Sequence, residues 1–420
     1  MSSSSSHQII LTSSPDGPIT AYDPSSGTTL AHFSGSRSPF RGLVLAGRSF
    51  IAVSHISSAT GSSFIHLYNW WSSIALHKLA VPEPVAPLAA TVDGMYLFAG
   101  GISGRIYSLS LPSGTILNTF LAHDKAISCL KISDDGSLLV SGHGDGTIVV
   151  VPIFKLVEAS GNDNSSDHLA LYKFVEHENS VTSITFCMGS RNSTIVSCSL
   201  DCTCKFWNIL NGTVMRKLRF PCAILDLALD PTETSFYAAG SDGLVYHGIV
   251  NAATKQVRQR QKFVTWDQKH DSAIVSVKMV NEGQNLVSAA EDGCVWLWDV
   301  ERGHVIMVIG KDMCGGVSDL VVASEVGGDA NGHAAIQGRS GSDESGSTNY
   351  GLCIKELINK SVMETVQMED VFKVVAKDRT RAIDMLESAI AMYERLLELI
   401  LKQAKGGTSK STNEKENGDM

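Results

Sequence analysis

Along the first three quarters of the chain, hydrophobic positions come in short runs, alternating or continuously apolar, separated by small polar turns. Such runs, rich in Val, Ile, Leu and aromatics, predict strands of a sheet covered on both faces. The D-G, S-G and N-G steps between them supply the positive φ that tight hairpin turns require. The fullest copy of the unit is NLVSAAEDGCVWLWDVERG, from Asn285 to Gly303, followed by TIVSCSLDCTCKFWNILNG from Thr194 and LLVSGHGDGTIVVVPI from Leu138. Weaker copies begin at Ser235, Tyr96 and Ile9, and a lengthened one runs from Phe50 to Trp71. A unit of four strands recurring at roughly 40 to 50 residues predicts a propeller blade. Each blade hides its faces only against its neighbours, so the ring must close. Counting hairpins gives seven blades over residues 1–324. The first blade lacks an inner strand at the N-terminus, and Gly316 to Ser324 (GVSDLVVAS) is predicted to supply it, removing two exposed sheet edges.

Certain polar residues recur at fixed places in the unit. The last copy has His270, Ser288, Asp292 and Trp298, with Asp299 next; an earlier one has His177, Ser197, Asp201 and Trp207. A third has His123, Ser141 and Asp145 but Val151 at the Trp place, and Leu109 and Gly248 stand there in weaker copies. This pattern resembles the WD-repeat family. The resemblance implies that each set is a hydrogen-bonded network pinning a turn, with the indole donating into it. A hydrolase triad would be needed once, whereas these sets repeat at blade spacing.

The pattern changes after the ring. Residues 325–350 are small, polar and Gly/Ser-rich, which predicts a flexible linker. Residues 351–405 hold Gly only at position 351 and no Pro, and Ser361 with Glu364 makes a capping box. Ile383, Leu386, Ile390, Tyr393, Leu397 and Ile400 follow a 3-4-3-4-3 spacing that places them on one stripe of a coiled-coil helix. The fold class expected is therefore all-β, a seven-bladed propeller followed by a coiled-coil α-helical segment. The stripe predicts a homodimer seam, with packing back onto the ring as the alternative. Residues 406–420 read as a disordered tail.

Composition narrows the function classes. The net charge of −9 comes with no long basic run, so no strong direct nucleic-acid binding is expected. No apolar run approaches the roughly 18 to 20 residues that span a bilayer, and the serine-rich start has no signal-peptide pattern. Together these predict an intracellular chain with free thiols. Cys198, Cys202 and Cys204 crowd one hairpin without the second ligand pair a zinc site needs, and alternation predicts Cys202 and Cys204 on one face of the sheet. GHGDG, Gly142 to Gly146, lacks the Lys-Ser/Thr of a phosphate loop and joins two strands. Neither HExxH nor GxSxG occurs, so no enzyme, cofactor or metal is expected. Adjacent Trp70 and Trp71 point to opposite faces if they lie in a strand, leaving one for a partner or a blade edge.

The diverged ring, the linker and the single helix with YERLLELILKQ together resemble the WD-repeat subunits of the rixosome-type pre-ribosome processing complex. That resemblance implies a nuclear and nucleolar scaffold in large ribosomal subunit maturation and internal-spacer processing of pre-rRNA. It also implies a large helical-repeat protein among the partners. The alternative is a substrate receptor of a cullin-type ubiquitin ligase. Such receptors carry W-D-x-R, whereas Trp298-Asp299-Val300-Glu301-Arg302 sets the Arg one place late.

Overall fold

A computed structural model describes residues 8–56, 63–70, 72–111, 113–157, 170–187, 194–250, 263–310 and 315–324. The predicted linker, coiled-coil seam and tail lie outside these residues, as does Trp71. The described strands, β1 to β28 in chain order, form seven four-stranded antiparallel sheets. Their inner strands are β4 (Leu43–Ala46), β8 (Val85–Ala90), β12 (Ile127–Ile132), β16 (Val181–Cys187), β20 (Ile224–Leu229), β24 (Ile274–Val280) and β28 (Asp319–Ser324). Each touches the next, and β28 touches both β24 and β4, so the cycle is closed. This is the predicted seven-bladed propeller. Blade 1 is the sheet built on β28, and blades 2 to 7 are those built on β4, β8, β12, β16, β20 and β24.

Closure follows the route the sequence suggests. The last strand, β28, pairs antiparallel with the first, β1 (Gln8–Ser13), in a register from Gln8 opposite Ser324 to Ser13 opposite Asp319. Ser13 and Ser318 exchange a buried side-chain hydrogen bond of 2.9 Å, and Ser318 N donates to Ser13 O. Apolar packing completes the join, with Ile10, Tyr22 and Leu320 of blade 1 in one cluster with Val287, Val295 and Leu297 of blade 7. The other blade interfaces are built alike, which is why strands buried on both faces read as nearly continuous apolar runs.

Candidate functional site

The recurring polar sets occupy equivalent places in their blades, but the structure completes only one of them. In blade 5, His177 Nδ1 lies 2.7 Å from Asp201 Oδ2 and its Nε2 lies 2.8 Å from Ser197 Oγ. Trp207 Nε1 donates to the same Ser197 Oγ at 2.8 Å. Because a carboxylate only accepts, His177 carries its proton on Nδ1, and Ser197 donates to Nε2 while accepting from the indole. All four side chains are thereby satisfied. Burial holds the imidazole below its ordinary range, against the pull of Asp201.

Blade 7 keeps three of the four members. His270 Nε2 and Trp298 Nε1 both meet Ser288 Oγ, each at 2.7 Å. Asp292, expected on the imidazole, instead accepts from Cys294 N, and the buried His270 Nδ1 has no hydrogen-bond partner among the described residues. His270 stacks on Trp296 with ring centroids 3.9 Å apart, and burial lowers its imidazole to about 4. Blade 4 departs further. His123 Nε2 meets Ser141 Oγ at 2.8 Å, but Asp145 pairs with His143 Nδ1 at 2.6 Å rather than with His123. His143 follows Ser141 by two residues, so it lies on the same strand face as the serine, near enough to take the carboxylate. Its ring stacks on His123 at 5.0 Å.

The weaker blades carry a device that the sequence reading missed. Tyr107 donates to Glu83 at 2.8 Å in blade 3, and Tyr246 donates to Asp242 at 2.6 Å in blade 6. Both follow a turn glycine by three residues, in SGRIY and DGLVY, so the signal was present as Gly-x-x-Tyr. In blade 2, Tyr68 stands at the Trp place and meets Ser36 Oγ at 2.7 Å, and His66 meets the same oxygen at 2.8 Å. Gly248 is explained by its cross-strand neighbour. Phe236 is buried opposite it, and a Cβ at 248 would come 2.3 Å from that ring.

The cysteine hairpin also differs from expectation. Cys198 and Cys204 are directly opposite and their buried sulfurs meet at 2.7 Å, whereas Cys202 sits in the turn at φ 61°, off the strand face. Among the described residues no cluster of three or more His, Cys, Asp or Glu is placed to hold a metal. Trp70 is partly buried, its indole donating to Arg48 O at 3.0 Å.

A dense polar site lies at the end of the central channel where the inner strands begin. Asp226 of β20 is 1% exposed. It accepts from Ser183 Oγ of β16 at 2.6 Å, and from Ser276 Oγ, Val277 N and Lys278 Nζ of β24 at 2.7, 3.1 and 2.6 Å. Arg41, just before β4, reaches across the channel: its Nη2 donates to Leu225 O at 2.6 Å and its Nη1 lies 3.7 Å from Asp226. Burial would raise the Asp226 carboxyl, but Lys278 and Arg41 outweigh it and hold the group far below the usual carboxylate range. Asp319, at the start of β28, accepts, among the described residues, from Leu320 N at 2.8 Å and Leu43 N at 3.4 Å. Its burial pushes the carboxyl up to about 6 despite Arg41 and Lys278. A cavity of about 380 Å³ opens beside these residues.

Residues 114–151, 170–208 and 261–299 match the family pattern described as WD domain, G-beta repeat. The chain is 36% identical over 291 residues to Protein ROOT INITIATION DEFECTIVE 3 of Arabidopsis thaliana, covering 69% of this chain and 66% of that protein. It is 24% identical over 290 residues to WD repeat-containing protein 18 of Homo sapiens, covering 68% and 65%. It is 27% identical over 330 residues to Pre-rRNA-processing protein IPI3 of Meyerozyma guilliermondii, covering 70% and 72%. The chain thus spans about two thirds of the length of the curated relatives it matches. Among solved structures, the computationally designed Ika8 protein is similar with a TM-score of 0.53 at 20% identity, covering 72% of this chain and 87% of that one. A chain of the Mitotic Checkpoint Complex is similar with a TM-score of 0.56 at 18% identity, covering 69% and 84%. At those identities the likeness is one of fold.

Proposed function

Because the chain belongs to the WD-repeat propeller family, in the group that includes Protein ROOT INITIATION DEFECTIVE 3 and Pre-rRNA-processing protein IPI3, we propose that it is a non-catalytic scaffold subunit supporting pre-rRNA processing in large ribosomal subunit maturation. The carrying observation is the 36% identity that extends over 69% of the chain, beside relatives whose names state pre-rRNA processing. The geometry is consistent with a scaffold. The repeated His and Ser pairs are buried and hydrogen-bonded to each other within blades, which is a folding role. The work is placed in the nucleus, nucleolus included, with a large helical-repeat protein among the partners. Its acidic balance suits contact through proteins rather than a direct grip on RNA. The test is depletion of the protein with pre-rRNA read by hybridisation. Spacer-containing precursor should accumulate, and the protein should co-sediment with large-subunit precursors. Normal precursor levels after depletion would remove the reading, as would tight, steeply salt-dependent RNA binding by the purified chain.

The same proposal assigns the C-terminal stripe to self-association. From Ile383 to Ile400 a helix would run roughly 27 Å at 1.5 Å per residue. A helix of that length is marginal alone in water, so a regular apolar stripe calls for a partner, and the 3.5-residue period suits another helix. Full-length chain should sediment as a dimer at micromolar concentration, and Leu386→Asp with Leu397→Asp should leave monomers. A dimer that survives the double change would exclude this seam.

A further inference from the structure

The cavity at the channel mouth has a lopsided chemistry. It opens where β12, β16, β20, β24 and β28 begin, and Phe40, Arg41, Leu200, Leu225, Glu291 and Asp319 are among its walls. Arg41 is already committed, bound to the Leu225 carbonyl and facing Asp226, so its charge is not free for an anion. The carboxylates are not committed in the same way. An ionised carboxylate has about four acceptor positions. Asp319 receives two backbone N–H groups, one at the outer limit of a hydrogen bond, although the residue is only 7% exposed. Glu291 stands exposed at the rim, in the turn after Asn285–Ala290. Phe40 and Leu200 add apolar surface there, 53% and 39% exposed.

We propose that the mouth of the central channel receives a basic side chain, of the arginine class, projecting from a partner peptide whose flanking apolar residues lie on Phe40 and Leu200. The guanidinium would donate to Asp319 inside and to Glu291 at the rim, which supplies the donors that the buried carboxylate lacks. That carboxyl stays raised even with Arg41 and Lys278 nearby, which marks a negative charge incompletely compensated by the protein itself. The cavity volume of about 380 Å³ lies in the range of sites that enclose a small ligand. A chain of net charge −9 also draws a basic partner from a distance. The proposal rests on the reading of the ring as a protein-binding scaffold, not on which assembly it serves.

The probe is the blocked peptide acetyl-Gly-Leu-Arg-Leu-Gly-amide titrated into the full-length chain by calorimetry, beside its citrulline and glutamate counterparts. Citrulline keeps the shape of arginine without its charge. The arginine peptide should saturate one site, with the citrulline peptide about tenfold weaker, the loss expected for one charge-assisted hydrogen bond. Asp319→Asn should weaken the arginine peptide about tenfold and leave the citrulline peptide unchanged, with circular dichroism confirming the fold. Glu291→Gln, at an exposed position that cannot disturb the core, should cost less than that. Equal affinity for arginine and citrulline, no saturation at millimolar concentration, or preference for the glutamate peptide would each overturn the proposal. Arginine-selective binding with normal pre-rRNA processing after depletion would keep this site while removing the proposed cellular role. Spacer accumulation without peptide selectivity would do the reverse.

Discussion

Asp201 and Asp292 occupy the same place in their repeats and do different things. Asp201 closes a chain of hydrogen bonds from the Trp207 indole through Ser197 and His177, and it also accepts from Thr203 N and Oγ1. Replacing it with Ala leaves the buried His177 Nδ1–H only the longer 3.3 Å contact with Thr203 Oγ1 and frees the turn, at a cost of about 1–3 kcal/mol. Asp292 has no such bond to lose at His270, since it holds only the backbone of Cys294. Asp292→Ala should therefore cost well under half as much as Asp201→Ala. Chemical denaturation of the two variants measures the difference, and equal losses would show that the carboxylate acts through the turn rather than through the imidazole. The imidazoles contribute no charge at neutral pH, because burial holds His123 and His270 at about 4.

At the scale of strands and hairpins, the cross-strand partner accounts for the missing tryptophan of blade 6. Trp207 faces Ile195 and Trp298 faces Leu286, each pair covering one face of the second and third strands with one large and one medium side chain. Blade 6 reverses the sizes, with Phe236 facing Gly248. Gly248→Trp should destabilise by several kcal/mol rather than restore a blade, because even a Cβ meets the Phe236 ring at 2.3 Å. Pairing it with Phe236→Leu should recover part of the loss in thermal unfolding, and an additive double change would refute the size-swap account. This also explains what was legible in the sequence. Hairpins, blade number and the closing strand follow from alternation and turn glycines, which are local signals. The Asp145–His143 pair and the tyrosine latches depend on which side chain first reaches a carboxylate, and strand order alone does not settle that. Asp226 was the least legible, a single charge inside the apolar run ILDLAL whose partners lie 43 to 52 residues away on β16 and β24 and farther still at Arg41.

For the whole ring, the inner strands meet only at the channel, and there Asp226 joins blades that apolar packing joins merely in pairs. Its acceptor oxygens hold blade 5 through Ser183 and blade 7 through Ser276, Val277 and Lys278, while Arg41 brings in blade 2 from the far side. An amide in its place offers one acceptor oxygen and turns two donors toward groups that also donate, and it leaves Lys278 and Arg41 with the Asp319 carboxyl as their nearby counter-charge. Asp226→Asn should thus cost about 3–5 kcal/mol at pH 7, the range for breaking a buried pair from one side. The sign with pH follows from the direction of the shift. A carboxyl held far below its unfolded value of 3.8 stabilises the fold above that pH, and the contribution fades only as pH falls below it. Asp319 runs the opposite way. Its folded value of about 6 lies above 3.8, so the folded ring binds the proton more tightly, and stability is lost as pH rises from about 4 to about 6. Asp319→Asn should therefore raise the melting temperature at pH 7 by the equivalent of roughly 1–3 kcal/mol and change little at pH 4. Arg41, Lys278 and Asp226 all face that carboxyl, so the double variant Asp226→Asn with Asp319→Asn separates the two effects. Melting curves at pH 4, 5.5 and 7 read both: a gain from Asp319→Asn that does not grow with pH, or a deficit from Asp226→Asn confined to acid, would break the account of the channel as a charged tie between blades.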